Sequence, residues 1–444
     1  MGMVRLVAAT LVASAALACG ATAAASGSSG GGRSPTAGYV VKLSDGGAVG
    51  SARTEALERS LGFAASLRYE NALQGFAAKL SPMQVAGLRR SPHVAHVVPD
   101  AEITATAKKP SAPRVPQDEV TPVGITRIGA AGDGFGAGPA GSAVAVLDTG
   151  LDLDHPDLDA AHGVNCIKPG RSSQDDDGHG THVGGTIAAR QGNGGAVGGA
   201  PGTRLYAVKV LDSSSKGRLS GLLCGIEWVK TNAERLGIAV ANASLTAAGA
   251  DDGACGAVSG DPLHAAICSS VDAGILYVAA AGNSGADFAR TIPAAYSETL
   301  AVTAATDTDG AAGGLGGVPC VAEERDDSFA TYSNFATTAA AAFHALAGPG
   351  TCVVSSALGG GVATMLGTSM AAPHVTAAAA LCLGRPSAPG PCASSDPSHR
   401  VALAIERLRS DAAAAASAGL GYEGDPLRPL DGHRFGYLVS ARGY

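Results

Sequence analysis

The chain has 444 residues, of which 63 are glycine, and only 4% are aromatic and 16% charged. The glycines follow no Gly-X-Y period, which excludes a collagen-like chain, and a hydrophobic content of 46% suffices for a large buried core. The net charge is −7 and no run of Lys and Arg exceeds two residues, so we expect no nucleic-acid partner.

The first residues have the pattern of a secretory signal peptide. Arg5 precedes a mainly apolar stretch over residues 6–18, and small residues suited to signal peptidase follow. We predict a signal peptide over 1–25, a Gly/Ser-rich linker over 26–37, and secretion. The apolar stretch is too short to cross a bilayer core of about 30 Å as a helix, so no membrane span is expected. A lipid-anchored surface form, attached through Cys19, is the alternative.

Eight cysteines remain once Cys19 leaves with the signal peptide. An even number in a secreted chain predicts disulfide bonds, although eight cysteines allow 105 pairings. The short-range candidates are Cys255 with Cys268 and Cys382 with Cys392, which leaves Cys320 with Cys352 and Cys166 with Cys224.

The region before residue 100 alternates strand-like and helix-like segments. Apolar strands are predicted over 39–43, 66–69, 75–80 and 94–98, with helices over 51–61 and from Ser81-Pro82 to Leu88. The order βαββαβ is that of a small ferredoxin-like α+β module. Four prolines between residues 108 and 122 then mark an exposed connector and a domain boundary.

Beyond the connector, short apolar runs alternate with helical segments. The runs cover 143–147, 204–210, 239–243, 275–280 and 300–302. Runs buried on both faces are typical of parallel strands, so the predicted fold class is α/β, a doubly wound, mostly parallel sheet flanked by helices. Such a sheet carries its site at the carboxyl ends of its strands. The glycine-rich 310–317 and the alanine tract Ala339–Ala342 are expected to be surface loops.

Three short segments carry candidate catalytic side chains. Val146-Leu147-Asp148-Thr149-Gly150 ends a strand, Gly178-His179-Gly180-Thr181-His182 opens a helix, and Gly367-Thr368-Ser369-Met370-Ala371-Ala372-Pro373 opens another. Asp, His, Ser is one of the known orders of a catalytic triad. Together with Ala281-Gly282-Asn283, these segments resemble the signature motifs of the subtilisin-like serine proteases, the subtilases, including the proteinase K-like members.

The resemblance implies a role for each of these residues. Serine is a weak nucleophile until an adjacent imidazole accepts its proton, and the imidazole needs a carboxylate to fix its tautomer. Ser369, His179 and Asp148 would fill these roles. The tetrahedral oxyanion needs preorganised donors, which the Asn283 side chain and the Ser369 backbone N–H would supply. No cofactor is expected for catalysis.

The same resemblance locates a substrate cleft in which an extended peptide adds as a strand. The resulting backbone recognition predicts broad specificity, and small, uncharged walls over 279–282 and 291–294 favour apolar residues before the scissile bond. Thr246 stands where the family usually has glycine, so its Cβ is expected to narrow this pocket. The predicted substrate-binding residues are Ser215, Lys216, Gly217, Leu219, Ser244, Leu245, Thr246, Ala281 and Gly282.

The resemblance also divides the chain into domains. Residues 38–107 are similar to the inhibitor-type prodomain of these enzymes, 108–118 form the connector, and 119–444 resemble the peptidase domain. By analogy, Thr104-Ala105-Thr106-Ala107 would lie product-like in the cleft and be cut by the enzyme itself. We therefore expect a secreted, monomeric endopeptidase of protein or peptide substrates, made as an autoprocessed zymogen that its own prodomain inhibits.

Metal sites are weighed in the same way. The resemblance places Glu119, Asp157 and a loop with Asn193 at the family's strong calcium site, although Asn193 is one place off the family's ligand. Oxygen ligands suit Ca²⁺ as a structural ion, and the alternative is that these groups are solvated surface residues. His182 lies three residues after His179, but the corresponding histidine of the family is structural, and His374 is expected to be a packing or capping residue.

Two other classes of function are considered. A catalytically silent binding protein would keep the fold, but the intact Asp, His, Ser and Asn set argues against it. Another acyl hydrolase, such as an esterase, would carry a G-x-S-x-G elbow between a strand and a helix, and the match to that pattern at 27–31 falls in the predicted Gly/Ser-rich linker. The sequence therefore favours a serine endopeptidase.

Overall fold

The computed structural model describes residues 36–44, 50–105, 107, 111–130, 138–317 and 319–444. The predicted signal peptide, Cys19 and most of the predicted linker lie outside these residues. Among the residues described, no helix combines the length and the apolar character needed to cross a membrane.

The first module consists of four strands and two helices. These are β1 (Ala37–Leu43), α1 (Gly50–Leu61), β2 (Ala65–Tyr69), β3 (Gly75–Leu80), α2 (Pro82–Arg89) and β4 (Val94–Pro99). The strands pair antiparallel in the order β2-β3-β1-β4. The predicted ferredoxin-like α+β module is thereby confirmed.

Local chemistry explains the elements of this module. Val41 and Leu43 of β1 alternate into a core that Phe76 of β3 and Leu88 of α2 share. The second helix starts with a capping box, in which Gln84 N–H donates to Ser81 Oγ and Ser81 N–H donates to Gln84 Oε1 at 2.8 Å. A short strand, β5 (Glu102–Thr104), follows β4, and residues 111–118 of the connector are mostly exposed before α3 (Val123–Arg127).

The large module contains the remaining elements. Its strands are β6 (Ala143–Asp148), β7 (Ala160–Asn165), β8 (Leu205–Lys209), β9 (Lys216–Arg218), β10 (Ile238–Ala243), β11 (Ala247–Ala248), β12 (Leu276–Ala280), β13 (Thr291–Ile292), β14 (Leu300–Thr306), β15 (Ser328–Phe329), β16 (Ala345–Pro349), β17 (Val353–Ser356), β18 (Val362–Met365), β19 (Gly384–Arg385), β20 (Ala388–Pro389) and β21 (Tyr437–Leu438). Its helices are α4 (His179–Ala188), α5 (Leu219–Leu236), α6 (Pro262–Val271), α7 (Ala339–Ala342), α8 (Thr368–Leu383) and α9 (Pro397–Ala415).

A nine-stranded sheet forms the centre of this module. Eight strands run parallel in the order β21-β16-β14-β12-β10-β6-β8-β7, and β15 pairs antiparallel with β14. Side chains alternate between its faces: Val144 and Val146 pack with α4 and α8, whereas Ala145 and Leu147 pack with α5 and α6. The predicted doubly wound sheet is confirmed, and it brings the carboxyl ends of its parallel strands to one edge.

The covalent cross-links agree with one of the pairings considered. The disulfides join Cys166 to Cys224, Cys255 to Cys268, Cys320 to Cys352 and Cys382 to Cys392. The expectation that Ala339–Ala342 is a loop is wrong. This exposed tract forms the one-turn helix α7 because Thr338 Oγ1 caps it by accepting Ala341 N–H, and alanine has the highest helix propensity.

Candidate active site

Asp148 and His179 meet at the carboxyl edge of the sheet. Asp148 is the last residue of β6, and His179 is the first residue of α4. His179 Nδ1 lies 2.7 Å from Asp148 Oδ1, and both side chains are buried. Gly178, with φ 104°, makes the left-handed turn from which α4 starts. A second N–H, from Thr149, donates to the same Asp148 oxygen at 2.7 Å.

The charge on His179 is set by opposing effects. Burial alone would lower the pKa of His179, but the contact with the Asp148 carboxylate, with further contributions from Asp177 and Asp175, raises it above the ordinary value. Among the described residues, His179 Nε2 is buried without a hydrogen-bond partner. The imidazole is therefore oriented by Asp148 on one nitrogen and presents the other as a proton acceptor.

Ser369 occupies the first turn of α8, two residues after Gly367. Its Oγ donates to Ser244 O at 3.2 Å, and Ser244 Oγ donates to Ser369 O at 2.8 Å. Asn242 Nδ2 donates to Ser244 Oγ, and Thr376 Oγ1 of α8 donates to Asn242 Oδ1. This buried network fixes the start of α8 against the segment that follows β10.

Asn283 follows β12 and faces the same helix start. Its Oδ1 accepts Thr368 N–H at 2.8 Å and Thr368 Oγ1 at 2.9 Å, which fixes the orientation of the amide. A Cβ at Gly367, which has φ 146°, would lie 2.8 Å from Asn283 Nδ2 and 3.3 Å from Ala107 Cα. Glycine is therefore required at 367, and the Asn283 amide and Ala107 both lie close to this position.

The segment before Ala107 lies in the predicted cleft as an added strand. β5 pairs antiparallel with β9, with Ile103 opposite Gly217 and Thr104 opposite Lys216. On the other side, Thr104 and Thr246 exchange two backbone hydrogen bonds, Thr104 N–H to Thr246 O at 3.0 Å and Thr246 N–H to Thr104 O at 2.8 Å.

Further backbone hydrogen bonds extend this strand at both ends. Ala105 N–H donates to Ser215 O at 3.0 Å, and Leu219 N–H donates to Ala101 O at 2.8 Å. The predicted substrate-binding residues over 215–219 and at Thr246 therefore enclose an extended chain.

The predicted wall of the specificity pocket also assembles. One predicted segment, 279–282, continues from the end of β12, and the other, 291–294, begins with β13. β13 pairs antiparallel with β11, which starts directly after Thr246. Asn334 Nδ2 donates to Ala281 O at 2.9 Å and bonds Thr291 Oγ1, joining the two sides. Ala281 and Leu245 are fully buried, and Gly282 N–H donates to Thr368 Oγ1. The wall is small and uncharged.

Two other histidines near the site are structural. Burial lowers the pKa of His182 to about 3, and its Nε2 lies 3.0 Å from Val353 O and 3.2 Å from Ala363 O, joining β17 and β18. Burial likewise lowers the pKa of His374 to about 4, and its Nδ1 bonds Met370 O within α8. Both observations agree with the expected structural roles.

The candidate calcium residues converge on one loop. Glu119 Oε2 accepts the N–H groups of Gly192 and Asn193, and Asn193 Nδ2 donates to Pro156 O at 3.0 Å. Asp157 is 3% exposed, and its carboxylate lies against Gly195. Burial raises the pKa of Asp157, and the nearby Asn193 side chain partly opposes this effect. The set consists of two carboxylates, of which that of Asp157 is deeply buried, and one amide. These oxygen donors fit Ca²⁺.

Two acidic side chains that the motifs do not identify hold the start of α4, where His179 lies. Asp175 accepts from Thr149 Oγ1 at 2.8 Å and from Thr181 Oγ1 at 2.6 Å, as well as from three backbone N–H groups around the start of α4. Asp177 Oδ1 accepts His179 N–H and Ser215 Oγ. The available signal was the run of three aspartates immediately before Gly178.

Known proteins share this combination of modules. A family profile described as the subtilase family matches residues 140–391, and one described as peptidase inhibitor I9 matches residues 38–106. An alkaline protease of Shouchella clausii is 36% identical over 311 residues, which is 69% of this chain and 68% of that protein. Subtilisin Savinase of Lederbergia lenta is 38% identical over 266 residues, which is 59% of this chain and 83% of that protein.

A solved structure supports the same assignment. The crystal structure of a cold adapted subtilisin-like serine proteinase superposes with a TM-score of 0.51 at 26% identity, covering 74% of this chain and 97% of that one. The fold, the order of the motifs and these similarities agree with one another. The chain therefore belongs to the subtilase family of serine proteases and carries an inhibitor I9 module ahead of its peptidase domain.

Proposed function

We propose that the protein is a secreted serine endopeptidase, made as a zymogen that cleaves its own chain beside Ala107. The observation that carries the proposal is the extended segment 102–105 in the cleft, which leads to Ala107 near Gly367 at the start of α8. A peptide segment in this position is bound as a substrate or product would be. The two possible scissile bonds flank Ala107, and the boundary of a prodomain over 38–107 corresponds to the second of them.

The proposed reaction is acyl transfer to Ser369. His179 Nε2 accepts the Ser369 hydroxyl proton as Oγ attacks the carbonyl carbon, while Asp148 stabilises the imidazolium that forms. Asn283 Nδ2 and the Ser369 N–H donate to the oxyanion. His179 then gives the proton to the leaving amine, which breaks the C–N bond and leaves an acyl-enzyme. Water, deprotonated by His179, hydrolyses the ester and restores Ser369.

Contacts to α5 support an inhibitory role for residues 38–107. Glu227 of α5 accepts the backbone N–H groups of Glu70, Asn71 and Ala72 at 2.7–3.0 Å. Tyr69 is buried and its hydroxyl donates to Ser220 O at 2.9 Å. These contacts anchor the module on the peptidase domain while its tail fills the cleft, which blocks substrate until the module is degraded.

Contacts at the start of the same helix add to this anchoring. Asp100 accepts Ser220 N–H and Oγ, both at 2.8 Å. A carboxylate at a helix N-terminus is favoured by the helix dipole.

The proposed specificity is broad and leans to apolar residues. Recognition of 101–105 uses backbone hydrogen bonds on both sides, which read no side chain. The walls near Ala281 and Thr291 offer no carboxylate for Lys or Arg. Thr246 is 9% exposed and stands where its Cβ narrows the pocket, which disfavours large aromatic side chains before the scissile bond.

A structural calcium ion at Glu119, Asp157 and Asn193 is part of the proposal. The buried Asp157 carboxylate near Glu119 would be relieved of repulsion by a bound cation. The ion would fasten the segment at Glu119, which begins the proposed peptidase domain, to the loop around Asn193. Four disulfides are consistent with secretion into an oxidising compartment.

Intact mass of the purified chain tests the proposal. Wild type and Ser369→Ala are incubated alone at neutral pH. We expect only the wild type to be cut, into an N-terminal fragment that ends at residue 106 or 107 and a peptidase domain that begins at residue 107 or 108. Identical cleavage of both chains would refute autoprocessing. If neither chain is cut, labelling of Ser369 by a fluorophosphonate distinguishes an inhibited enzyme from a catalytically silent binding protein.

A further inference from the structure

The loop between β11 and α6 contains a histidine and acidic residues that neither the catalytic site nor the proposed calcium site uses. Asp251 and Asp252 lie in this loop, and His264 lies in the first turn of α6. The Cys255–Cys268 disulfide ties the loop to the helix. The two aspartates and His264 place one potential ligand atom each within 4.8 Å of the others.

His264 is fixed in position and fully buried. Its Nε2 lies 2.9 Å from Glu298 Oε2, and its ring stacks on Tyr296 with 4.2 Å between centroids. When the ring is neutral, the hydrogen bond from Nε2 to Glu298 keeps the proton on that nitrogen and leaves the Nδ1 lone pair available. Among the residues described, Nδ1 is buried without a hydrogen-bond partner and faces the two aspartates.

The distances at Nδ1 differ from those of a hydrogen-bonded imidazolium. Asp252 Oδ1 lies 3.3 Å from Nδ1 and Asp251 Oδ1 lies 3.6 Å from it. A charged N–H to carboxylate hydrogen bond is about 2.7–2.9 Å long, as Nε2 to Glu298 is. Two ligands bound tetrahedrally to zinc at about 2.1 Å are about 3.4 Å apart. The separations at Nδ1 thus match one metal ion between the ligands.

We propose that His264 Nδ1 and the carboxylates of Asp251 and Asp252 bind a divalent transition-metal ion of the zinc class. Imidazole with carboxylate is a ligand set that suits Zn²⁺, and three protein ligands leave a fourth position for water. The ion joins the loop to the first turn of α6, in addition to the disulfide. The ion is structural and takes no part in peptide hydrolysis.

The surroundings of the three ligands support the site. Glu298, on the far nitrogen of His264, has the position of the carboxylate that orients metal-binding histidines. Asp252 accepts N–H groups from four residues of its own loop, which hold its carboxylate in place before an ion arrives. The Asp251 side chain is 23% exposed and gives the ion a route from solvent.

Metal binding to the full-length Ser369→Ala chain tests this proposal, since that chain cannot digest itself. The protein is stripped with chelator, exposed to Zn²⁺ or Co²⁺ alone, desalted, and assayed for bound metal by mass spectrometry and for Co²⁺ absorption. We expect a Zn²⁺ affinity that falls at least 100-fold in Asp251→Asn and in His264→Gln. Glu298→Gln is expected to lower it 10- to 100-fold through the orientation of His264.

Asp309→Asn is the matched control, since Asp309 belongs to another acidic group, with Asp307 and Asp326. It is expected to leave Zn²⁺ affinity unchanged. Because His264 is buried, its variant can fail to fold, so Asp251→Asn at the partly exposed position decides the test. Circular dichroism of Asp251→Asn is compared with that of the parent to show that the variant is folded. The proposal is overturned if the parent retains no Zn²⁺ or Co²⁺, if Asp251→Asn binds as the parent does, or if Ca²⁺ alone binds there.

Discussion

Asn283 carries its amide in one orientation because Thr368 occupies the carbonyl oxygen with both its N–H and its hydroxyl. The Nδ2 group is thereby directed to the side on which Gly367 and Ala107 lie. A donor held in place before the reaction stabilises an oxyanion without reorganisation, which is worth roughly 2.7–4 kcal/mol, a magnitude measured on another member of the subtilase family.

Asn283→Ala is therefore expected to lower kcat about 100- to 1,000-fold with little change in KM. Steady-state kinetics on a peptide anilide, with the mature enzyme, measures both constants. Thr368→Ser, which keeps both donors to the carbonyl oxygen, is the control and is expected to stay within a few-fold of wild type. A loss confined to KM would contradict an oxyanion role for Asn283.

His179 is influenced by more than one carboxylate. Burial opposes its protonation, but Asp148 and then Asp177 and Asp175 raise its pKa. Since the neutral imidazole is the base, activity falls as pH drops through that raised pKa. Removing one of these charges lowers the pKa of His179, so the acid limb of the kcat/KM profile should move to lower pH.

Asp177→Asn tests this prediction, because the asparagine amide has nearly the same volume as the carboxylate that it replaces. The profile of log kcat/KM against pH is expected to shift its acid limb downward relative to wild type. Asp176→Asn is the control, since it removes the same net charge from a carboxylate that pairs with Lys209 at 2.6 Å. Equal shifts in both variants, or none in Asp177→Asn, would show that Asp177 does not set the pKa of His179.

The motifs predict that Asp148, His179 and Ser369 form one site, and the structure shows the contact between Asp148 and His179. All three are identified by local motifs; the Ser369 hydroxyl donates to Ser244 O in the structure, and its approach to His179 stays a prediction. Asp175 is not identifiable in this way because its partners, Thr149 and Thr181, come from two separate elements. The pairing of Thr368 with Asn283 spans 85 residues and depends on the packing of α8 against β12.

At the scale of elements, β9 is the edge on which an added strand pairs. A Cβ at Gly217 would lie 2.2 Å from Val210 O and 3.1 Å from Ile103 Cγ1, so a larger residue must displace backbone. A displaced β9 loses its antiparallel register with β5 and with any substrate bound in the same way. Glycine is required at 217 because Val210 O and Ile103 lie too close to leave space for a side chain.

Gly217→Ala is thus expected to raise KM at least 10-fold and to weaken inhibition by the added prodomain by a similar factor. Inhibition assays of the mature enzyme with prodomain in trans measure the second effect. Gly221→Ala is a matched control in α5, where the nearest atom to the new Cβ is 3.7 Å away. Unchanged inhibition of Gly217→Ala would mean that β9 does not carry the binding.

Prediction of elements from the sequence succeeded where burial imposes a pattern. β6, β10 and β12 are buried along their whole length and appear as apolar runs. β7 was missed because it is an edge strand, with His162 and Gly163 in its centre and a mixed burial pattern. β21 has two residues, too few for any period, and it exists because β16 provides a partner.

At the scale of the whole molecule, α5 joins both modules. Its buried face packs under the sheet, whereas Glu227 and the residues at its start hold the first module through backbone groups. The polar contacts lie mostly at the surface, but buried residues of the first module, Tyr69 and Leu73 among them, share one apolar cluster with the face of α5. Departure of the first module after cleavage therefore exposes apolar surface on α5, whereas the cluster on the α4 and α8 side of the sheet stays covered.

The stability of the mature peptidase domain would then depend on the groups that fix its N-terminal segment to the rest of the domain. Glu119 stands at the beginning of the proposed domain, and Val120 N–H donates to Gly195 O beside the buried Asp157. A calcium ion held by Glu119, Asp157 and Asn193 binds only the folded chain, and an ion present at 100 times its Kd adds about 2.7 kcal/mol. For a domain of this size that corresponds to roughly 5 °C in Tm.

Removal of calcium is expected to lower the Tm of the Ser369→Ala chain by about 5 °C, and added Ca²⁺ to restore it. Differential scanning calorimetry with and without chelator measures the change. The Tm of Asp157→Asn should equal that of the chelator-treated parent and should not change with chelator or Ca²⁺. The Tm of Asp251→Asn should respond to Ca²⁺ as the parent does, because Asp251 lies in a separate loop. A parent chain whose Tm is the same in chelator and in Ca²⁺ would leave no calcium site at Asp157. A response that survives in Asp157→Asn would place the ion elsewhere in the fold.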